Sequence, residues 1–422
     1  MEDVNSNIAV NNKTGYRIVL KQKEYMKLIL ANVINRFGDS VDAIAFTWLV
    51  FSLTNSAGWS AVIYGVNKVP TIFLQPFAGA MVEGRNKKII MVVTDIIRGI
   101  SVSFVAIMFI LDMLNPWMLL VTTIVISSAE AFRGPASIAI LPKILDKAYY
   151  DFGMSLNSTL SNVVELIGLA SVGAIIGFWG THTAIFIDAL TFWGSALIIL
   201  FIHTGEEKRE KVKLNIRDCL DTLKGGLNYL KTKRVIVNFV LLAMIANAIL
   251  VPMNSLMAPL VKDVLKQGEY MLSLISFTLM IGMVLGSAVY PYAAKVLKTR
   301  MVVFLAGSTM SFYYLVFVIC GYISNKEILI YIICALSSLI TGIASALIIA
   351  VLNVQFIKQV EPEYLARVGA IMSAGCVGAM PVVSFAISAL IELISISKIF
   401  LVVSGIGMVF FILIFIVKVR FE

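Results

Sequence analysis

Ten charged residues sit where a chain this apolar should not carry charge. Arg36, Asp39, Asp42, Lys68, Asp95, Arg98, Glu130, Arg133, Glu165 and Asp188 all interrupt long hydrophobic stretches in the first half of the sequence. The corresponding stretches of the second half hold almost none away from their ends. A lone charge at the centre of a membrane helix costs about 2.5–3.5 kcal/mol on insertion scales, so such residues imply an ion pathway or mutual pairing. A carboxylate taken out of water binds a proton more readily, because low dielectric disfavours its charged form. It can release that proton when water or a cationic solute arrives, which is the minimal chemistry of proton-driven exchange. Asp42, Glu165, Asp39, Glu130 and Asp188 are therefore the proton-coupling candidates, with Arg36, Lys68, Asp95, Arg98 and Arg133 as their charge partners.

Spacing separates these groups further. Arg36 and Asp39, Asp95 and Arg98, and Glu130 and Arg133 each stand three apart, which allows neutralisation along one helix face. Asp42, Lys68, Glu165 and Asp188 have no such local partner. Counting helical rise from the ends of the apolar stretches puts Asp42 about 22 Å beyond Lys27 and Lys68 about 15 Å from Gly58. Both depths are near mid-membrane, so an Asp42–Lys68 pair between adjacent helices is feasible, and Glu165 lies at comparable depth. The apolar side of a substrate cleft is expected from Phe46, Trp48, Tyr64, Met253, Met257, Phe277 and Met280. Flexible Met and aromatic faces suit varied amphipathic solutes better than a sugar, which demands dense polar contacts.

The elements that must position these residues are membrane helices. Of 422 residues, 59% are hydrophobic and 14% charged, with a mean hydropathy of +0.92. A soluble domain averages about 25% charged. Uniformly apolar segments of about 20 residues read as helices, because bare backbone groups in lipid must bond internally. Twelve spans are expected: 27–53, 58–82, 88–111, 117–140, 152–178 and 181–203, then 235–258, 271–294, 300–322, 327–350, 367–391 and 397–418. Asn115-Pro116, Gly180, Pro259 and Pro362 fall near ends, while Pro70, Pro76, Pro252 and Pro381 fall inside spans.

Charge also orients the chain. With both termini in the cytoplasm, most of the 34 Lys and Arg residues lie in inner segments. Only Lys262, Lys266, Lys326 and Lys398 fall in outer loops, a strong positive-inside bias. The net charge of +9 is thus a topology signal and not a nucleic-acid signal. The expected organisation is a cytosolic tail (1–26), a six-helix bundle (27–203), a cytosolic linker with an amphipathic helix (204–234), and a second six-helix bundle with its tail (235–422). Paired six-span halves imply a cleft between them that opens alternately to either side.

The run Gly79-Ala-Met-Val-Glu83-Gly-Arg-Asn-Lys87-Lys88 resembles the loop motif between the second and third spans of the major facilitator superfamily. Gly79, Glu83, Lys87 and Lys88 match it in position, while Gly84 and Asn86 depart from it. The run Asn35-Arg-Phe-Gly-Asp-Ser-Val-Asp-Ala-Ile-Ala-Phe-Thr-Trp48 is similar to the first span of the macrolide-efflux-like exporters, a bacterial subgroup that exports drugs and siderophores. Pro362-Glu-Tyr-Leu-Ala-Arg367-Val is also similar to theirs. The resemblance covers essentially the whole chain. It implies an all-α membrane protein of the major facilitator type in the bacterial cytoplasmic membrane, an antiporter that exports solutes in exchange for protons and can confer antibiotic resistance. Independently of that resemblance, Gly79 permits close helix contact and Glu83 can pair with a basic group at the inner ends of neighbouring helices. Gly79, Glu83, Lys87 and Lys88 are therefore expected to form a gating loop, with Lys87 and Lys88 as plain topology anchors the alternative. The antiporter motif of the fifth span is only partly present, as Gly168-Leu-Ala-Ser-Val-Gly173, which weakens the export direction.

Other function classes fare worse. No Gly-Lys-Ser/Thr phosphate loop exists, so ATP is not the direct energy source. His182 and His203 stand alone, and Cys219, Cys320, Cys334 and Cys376 form no metal or disulfide framework. The expected partners are protons, an amphipathic small molecule and the bilayer, with no nucleic acid, no cofactor, no enzymatic activity and a monomeric protein. The rivals are an importer of a small polar nutrient and a lipid or lysophospholipid transporter. An importer should show uncharged hydrogen-bonding residues in both halves of its cleft.

Overall fold

Asn115-Pro116 and Gly180 mark helix ends in the folded chain as expected, while Pro362 lies outside the described residues. The computed structural model describes residues 12–83, 85–146, 149–204, 233–323, 327–360 and 365–417. Asn115 caps the helix that follows it, its Oδ1 accepting the Met118 N–H at 2.9 Å, and Pro116 occupies the first turn. There its missing N–H costs no hydrogen bond. Asn86 caps its helix in the same way through Ile89 N–H, 3.0 Å away. Gly180, at φ 83, makes the turn between two spans, a conformation only glycine adopts freely.

After a short helix at Asn12–Val19, the long helices are α1 (Lys23–Thr54), α2 (Ala57–Glu83), α3 (Lys87–Ile110), α4 (Pro116–Ala139), α5 (Tyr150–Trp179) and α6 (Thr181–Leu200). The chain continues with α7 (Arg234–Ser255), α8 (Glu269–Val296), α9 (Thr299–Tyr322), α10 (Glu327–Gln359), α11 (Leu365–Leu390) and α12 (Ile396–Ile416). Among the described residues, 8 of these are long and apolar enough to cross a membrane. Their ends lie close to the expected spans, except that α10 runs nine residues past the expected end at 350. The linker 205–232, with its expected amphipathic helix and Cys219, lies outside the described residues, as do the tail 1–11 and the segment 361–364.

The charges point inward. On α3 the exposed residues are Ile89, Val93, Ile97, Ile100, Phe104, Ile107 and Ile110, an unbroken apolar stripe, while Asp95 and Arg98 are buried on the opposite face. A soluble helix would be arranged the other way round. With hydrocarbon outside, the polar groups must find one another inside the bundle.

Small residues set the helix contacts. α8 and α10 meet where Gly282 faces the backbone of Leu339 and Gly342, and Gly286 faces Ile343. Any side chain there would strike backbone, so the pair depends on glycine. Gly168 packs on Ser40 of α1, and Gly173 and Gly177 pack on Ser273 and Tyr270 of α8.

Among the described residues, three hydrogen bonds cross the sequence midpoint at one end of the bundle. Gly173 N–H donates to Ser273 Oγ (2.7 Å), Ser384 Oγ donates to the Ala61 carbonyl (2.6 Å), and Lys262 Nζ donates to Asn55 Oδ1 (3.2 Å). Lys262 also lies 5.3 Å from the Phe51 ring centroid. It projects from a π-helical turn, Leu260–Val264, that follows Pro259. In the same turn burial holds the Asp263 carboxyl above its ordinary range, against the pull of Lys262. These contacts close that end.

Candidate functional site

Beneath the closed end lies a cavity of about 440 Å³. α1, α2, α3 and α4 supply its charged and aromatic wall, through Arg36, Asp39, Asp42, Tyr64, Lys68, Arg98 and Glu130. α7 and α8, with the turn between them, supply Asn254, Ser255, Met257, Leu272 and Ser276. Buried charge is therefore concentrated on one side and a milder polar and apolar surface on the other, the asymmetry visible in the sequence.

Arg98 organises the charged side. Its Nη2 donates to Asp39 Oδ1 at 2.5 Å, and its Nη1 donates to Glu130 Oε2 at 2.7 Å and to Asn35 Oδ1 at 3.3 Å. The guanidinium plane lies 4.0 Å from the centroid of the Phe192 ring. A planar fork can hold two carboxylates from different helices at once, which a lysine ammonium cannot do with comparable geometry. Arg98 thus ties α1, α4 and α6 to α3.

A second cluster stands behind the first. Arg133 Nε donates to Asp95 Oδ1 at 2.6 Å, and Ser195 Oγ donates to the other Asp95 oxygen at 2.6 Å. Arg133 Nη2 reaches Ser195 Oγ at 3.3 Å and Asn32 Oδ1 at 3.4 Å. Asp95 is fully buried with both oxygens bonded, so this cluster serves to hold α1, α3, α4 and α6 together.

The pairing differs from the sequence expectation. Asp39 bonds Arg98 instead of Arg36, Asp95 bonds Arg133 instead of Arg98, and Glu130 bonds Arg98 instead of Arg133. Inside the bundle these arginines turn toward carboxylates on facing helices, leaving the same-helix partner. Arg36 is taken by Glu165, which accepts from its Nε at 3.1 Å and its Nη2 at 2.7 Å. Glu165 is thus a paired carboxylate, and the absence of a partner on its own helix proves a poor guide. Asp42 and Lys68 line the same cavity but form no ion pair with each other, and Lys68 lies 5.7 Å from the Tyr64 ring centroid.

Of the six carboxylates that interrupt the apolar stretches of the first half, Asp42 and Asp188 stand apart from these pairs. Asp42 Oδ1 is buried with no hydrogen-bond partner, and the residue lines the cavity. Asp188 is fully buried, and neither of its carboxyl oxygens has a partner.

Of the expected cleft residues, Phe46, Tyr64 and Met257 line the cavity. Met253 is buried in the core, and Trp48 packs against that core. Phe277 and Met280 are half-buried on α8 without lining the cavity. Position along a span does not reveal which way a side chain turns. Several uncharged polar residues that the sequence reading passed over are part of the wall. Asn67 Nδ2 donates to Ser127 Oγ at 3.0 Å, and Asn254 stands on the opposite side. An asparagine inside an apolar span was the available signal. In the gating loop, Gly79 and Glu83 belong to α2, but their surroundings lie outside the described residues; Lys87 is buried at the start of α3 and Lys88 half-buried.

Known proteins share this architecture. Residues 18–421 match the family described as transmembrane secretion effector, of the major facilitator type. The chain is 24% identical to the multidrug efflux pump Tap of Mycobacterium bovis over 241 residues, 55% of this chain and 57% of that pump. The match thus spans little more than half of the pump's length. With macrolide efflux protein A of Enterococcus faecalis the identity is 21% over 322 residues, 74% of this chain and 95% of that protein. Among solved structures, the nucleoside transporter NupG superposes with a TM-score of 0.73 at 13% identity, covering 92% of this chain and 97% of that one. A bacterial homologue of the lysosomal transporter Spinster, inward-facing and unoccupied, gives 0.60 at 12% identity, covering 95% of each chain. This multi-pass helical membrane protein belongs to the transmembrane secretion effector family of major facilitator transporters.

Proposed function

We propose that the protein is a proton-driven exporter of amphipathic small molecules, macrolide-like drugs or siderophores among them, and that it works by alternating access. One observation carries this reading: a cavity between the two sets of helices contains an unpaired carboxyl, Asp42, beside arginines already committed to other carboxylates. A carboxyl without a donor or cation exchanges a proton at less cost than one locked in an ion pair. In this reading twelve helices span the bacterial cytoplasmic membrane as two six-helix halves joined by the 204–234 linker. The closed end faces outward, and the cavity serves the cytoplasmic side.

The deciding measurement is uptake into inverted membrane vesicles with an imposed pH gradient, across a panel of macrolides, cationic dyes and siderophores. Accumulation driven by an acidic lumen is the expected result. No gradient-dependent accumulation of any of them would sink the exporter reading. Orientation has its own test. A single cysteine placed between 259 and 268 should react with an impermeant maleimide in sealed cells, and one between 205 and 215 should not. The reverse pattern would invert the topology.

A second reading is an importer of a small polar solute. It is favoured by the uncharged hydrogen-bonding groups on both sides of the cavity: Tyr64, Asn67 and Ser127 facing Asn254 and Ser276. Right-side-out vesicles separate the two, because a proton-coupled importer would accumulate its solute there when the outside is acid.

A further inference from the structure

The first six helices hold six carboxylates and four cations at membrane depth. Arg133 takes Asp95, Arg36 takes Glu165, and Arg98 takes both Asp39 and Glu130. The two left over are Asp42 and Asp188, and among the described residues these are the carboxylates with unpartnered buried oxygens. Lys68, the fourth cation, forms no ion pair with either of them.

Asp188 differs from Asp42 in its access. It does not line the cavity, and none of its surface is exposed. Gly38 of α1 presses directly on its carboxyl and on Thr191, and any larger residue at 38 would overlap the Thr191 hydroxyl. The Thr191 hydroxyl donates to the backbone carbonyl of Asp188 at 2.6 Å. The charged groups that face Asp188 from the helices packed on α6 are few. α1 presents Asp39 and Asp42, and α3 presents Arg98, its own Asp95 being bound to Arg133. On α5, Glu165 is held by Arg36.

Two features connect this pocket to the rest of the site. Asp42 is one helical turn along α1 from Gly38, on the same face, about 6 Å along the helix axis. Arg98 lies over the ring of Phe192, one turn along α6 from Asp188, and its Nε–H is a buried donor with no acceptor. An unused donor and two unused acceptors thus occupy neighbouring turns. While Asp188 carries a proton it is neutral and tolerates a dry pocket. When the proton leaves, a small turn of the guanidinium toward it supplies a counterion.

We propose that Asp188 is a second proton-carrying carboxyl, filled and emptied through Asp42, so that two protons move for each substrate. The proposal rests on the proton-coupled reading above. The proton that leaves the Asp188 carboxyl passes to the Asp42 carboxylate and from there to water in the cavity. Asp188 remains as a carboxylate beside Arg98, and the steps reverse on loading.

The order of access makes the two residues unequal in a test. In proteoliposomes holding one pH unit of gradient, a radiolabelled macrolide is followed to steady state. Each coupled proton multiplies the accumulation ratio about tenfold per pH unit, so wild type should reach about 100-fold and Asp188→Asn about 10-fold. Asp42→Asn, which blocks the route for both protons, should not accumulate the probe at all. Equal ratios for wild type and Asp188→Asn would overturn the proposal. Wild type indifferent to the gradient, while still equilibrating the probe, would instead overturn the proton-coupled reading.

A second arm needs no substrate and decides alone if the macrolide is not transported. Difference infrared spectra of purified protein across a pH titration should show the carbonyl stretch of two protonated acids. Asp188→Asn should remove one band, and the double variant with Asp42→Asn should remove both. If Asp188→Asn does not fold, Asp188→Glu keeps a protonatable acid and must move the same band. An Asp188 variant whose acid bands match wild type would sink the idea.

Discussion

Arg98→Met should abolish transport and lower the stability of the protein by about 3–5 kcal/mol, the cost of leaving buried charges without their partner. Arg98 is 3% exposed and bonds Asp39, Glu130 and Asn35 while lying on Phe192, so its loss unties α3 from α1, α4 and α6 together. A thermal unfolding midpoint in detergent would register the change. Arg98→Lys should fall between, because one ammonium cannot satisfy two carboxylates with the geometry of the guanidinium fork. The informative variant is the triple one, Arg98→Met with Asp39→Asn and Glu130→Gln. Removing all three charges takes away the unpaired carboxylates and should return most of the stability without returning transport. Arg98→Met as stable as wild type would show that the cluster does not hold these helices.

Asp42→Asn should uncouple the protein while leaving its cavity intact. Asparagine copies the shape of the protonated acid, and Asp42 gives up no hydrogen bond at Oδ1, so the change should cost little stability. Gradient-driven accumulation should fall from at least about tenfold per pH unit to none, since each coupled proton contributes one decade. Exchange of labelled for unlabelled substrate at equal pH should persist. Wild-type protein should also release a proton when substrate binds, visible with a pH dye in weakly buffered solution, and the variant should not. Full uphill transport by Asp42→Asn would move the coupling role to the Arg98-bound carboxylates and would remove the route through Asp42 to Asp188. Glu165 is a weaker substitute, because Arg36 holds it through two hydrogen bonds to one oxygen.

The positions of the long helices were readable because long apolar runs ended by residues such as Asn115, Pro116 and Gly180 have local preferences that act without distant partners. That charge belongs to the first half was readable too, because ionised side chains within apolar spans are conspicuous. The partner of each charge was not. Sequence spacing ranks only neighbours on the same helix, and by that measure Arg36 belonged with Asp39 and Asp95 with Arg98. In the folded bundle, helix crossings put Glu165 before Arg36, Asp95 before Arg133, and both Asp39 and Glu130 before Arg98. Low dielectric makes every such choice costly to refuse, so long-range geometry overrides local spacing. For the same reason the isolation of Asp42 and Asp188 could only emerge from the tertiary structure: a carboxylate is left over only after all the arginines have been assigned.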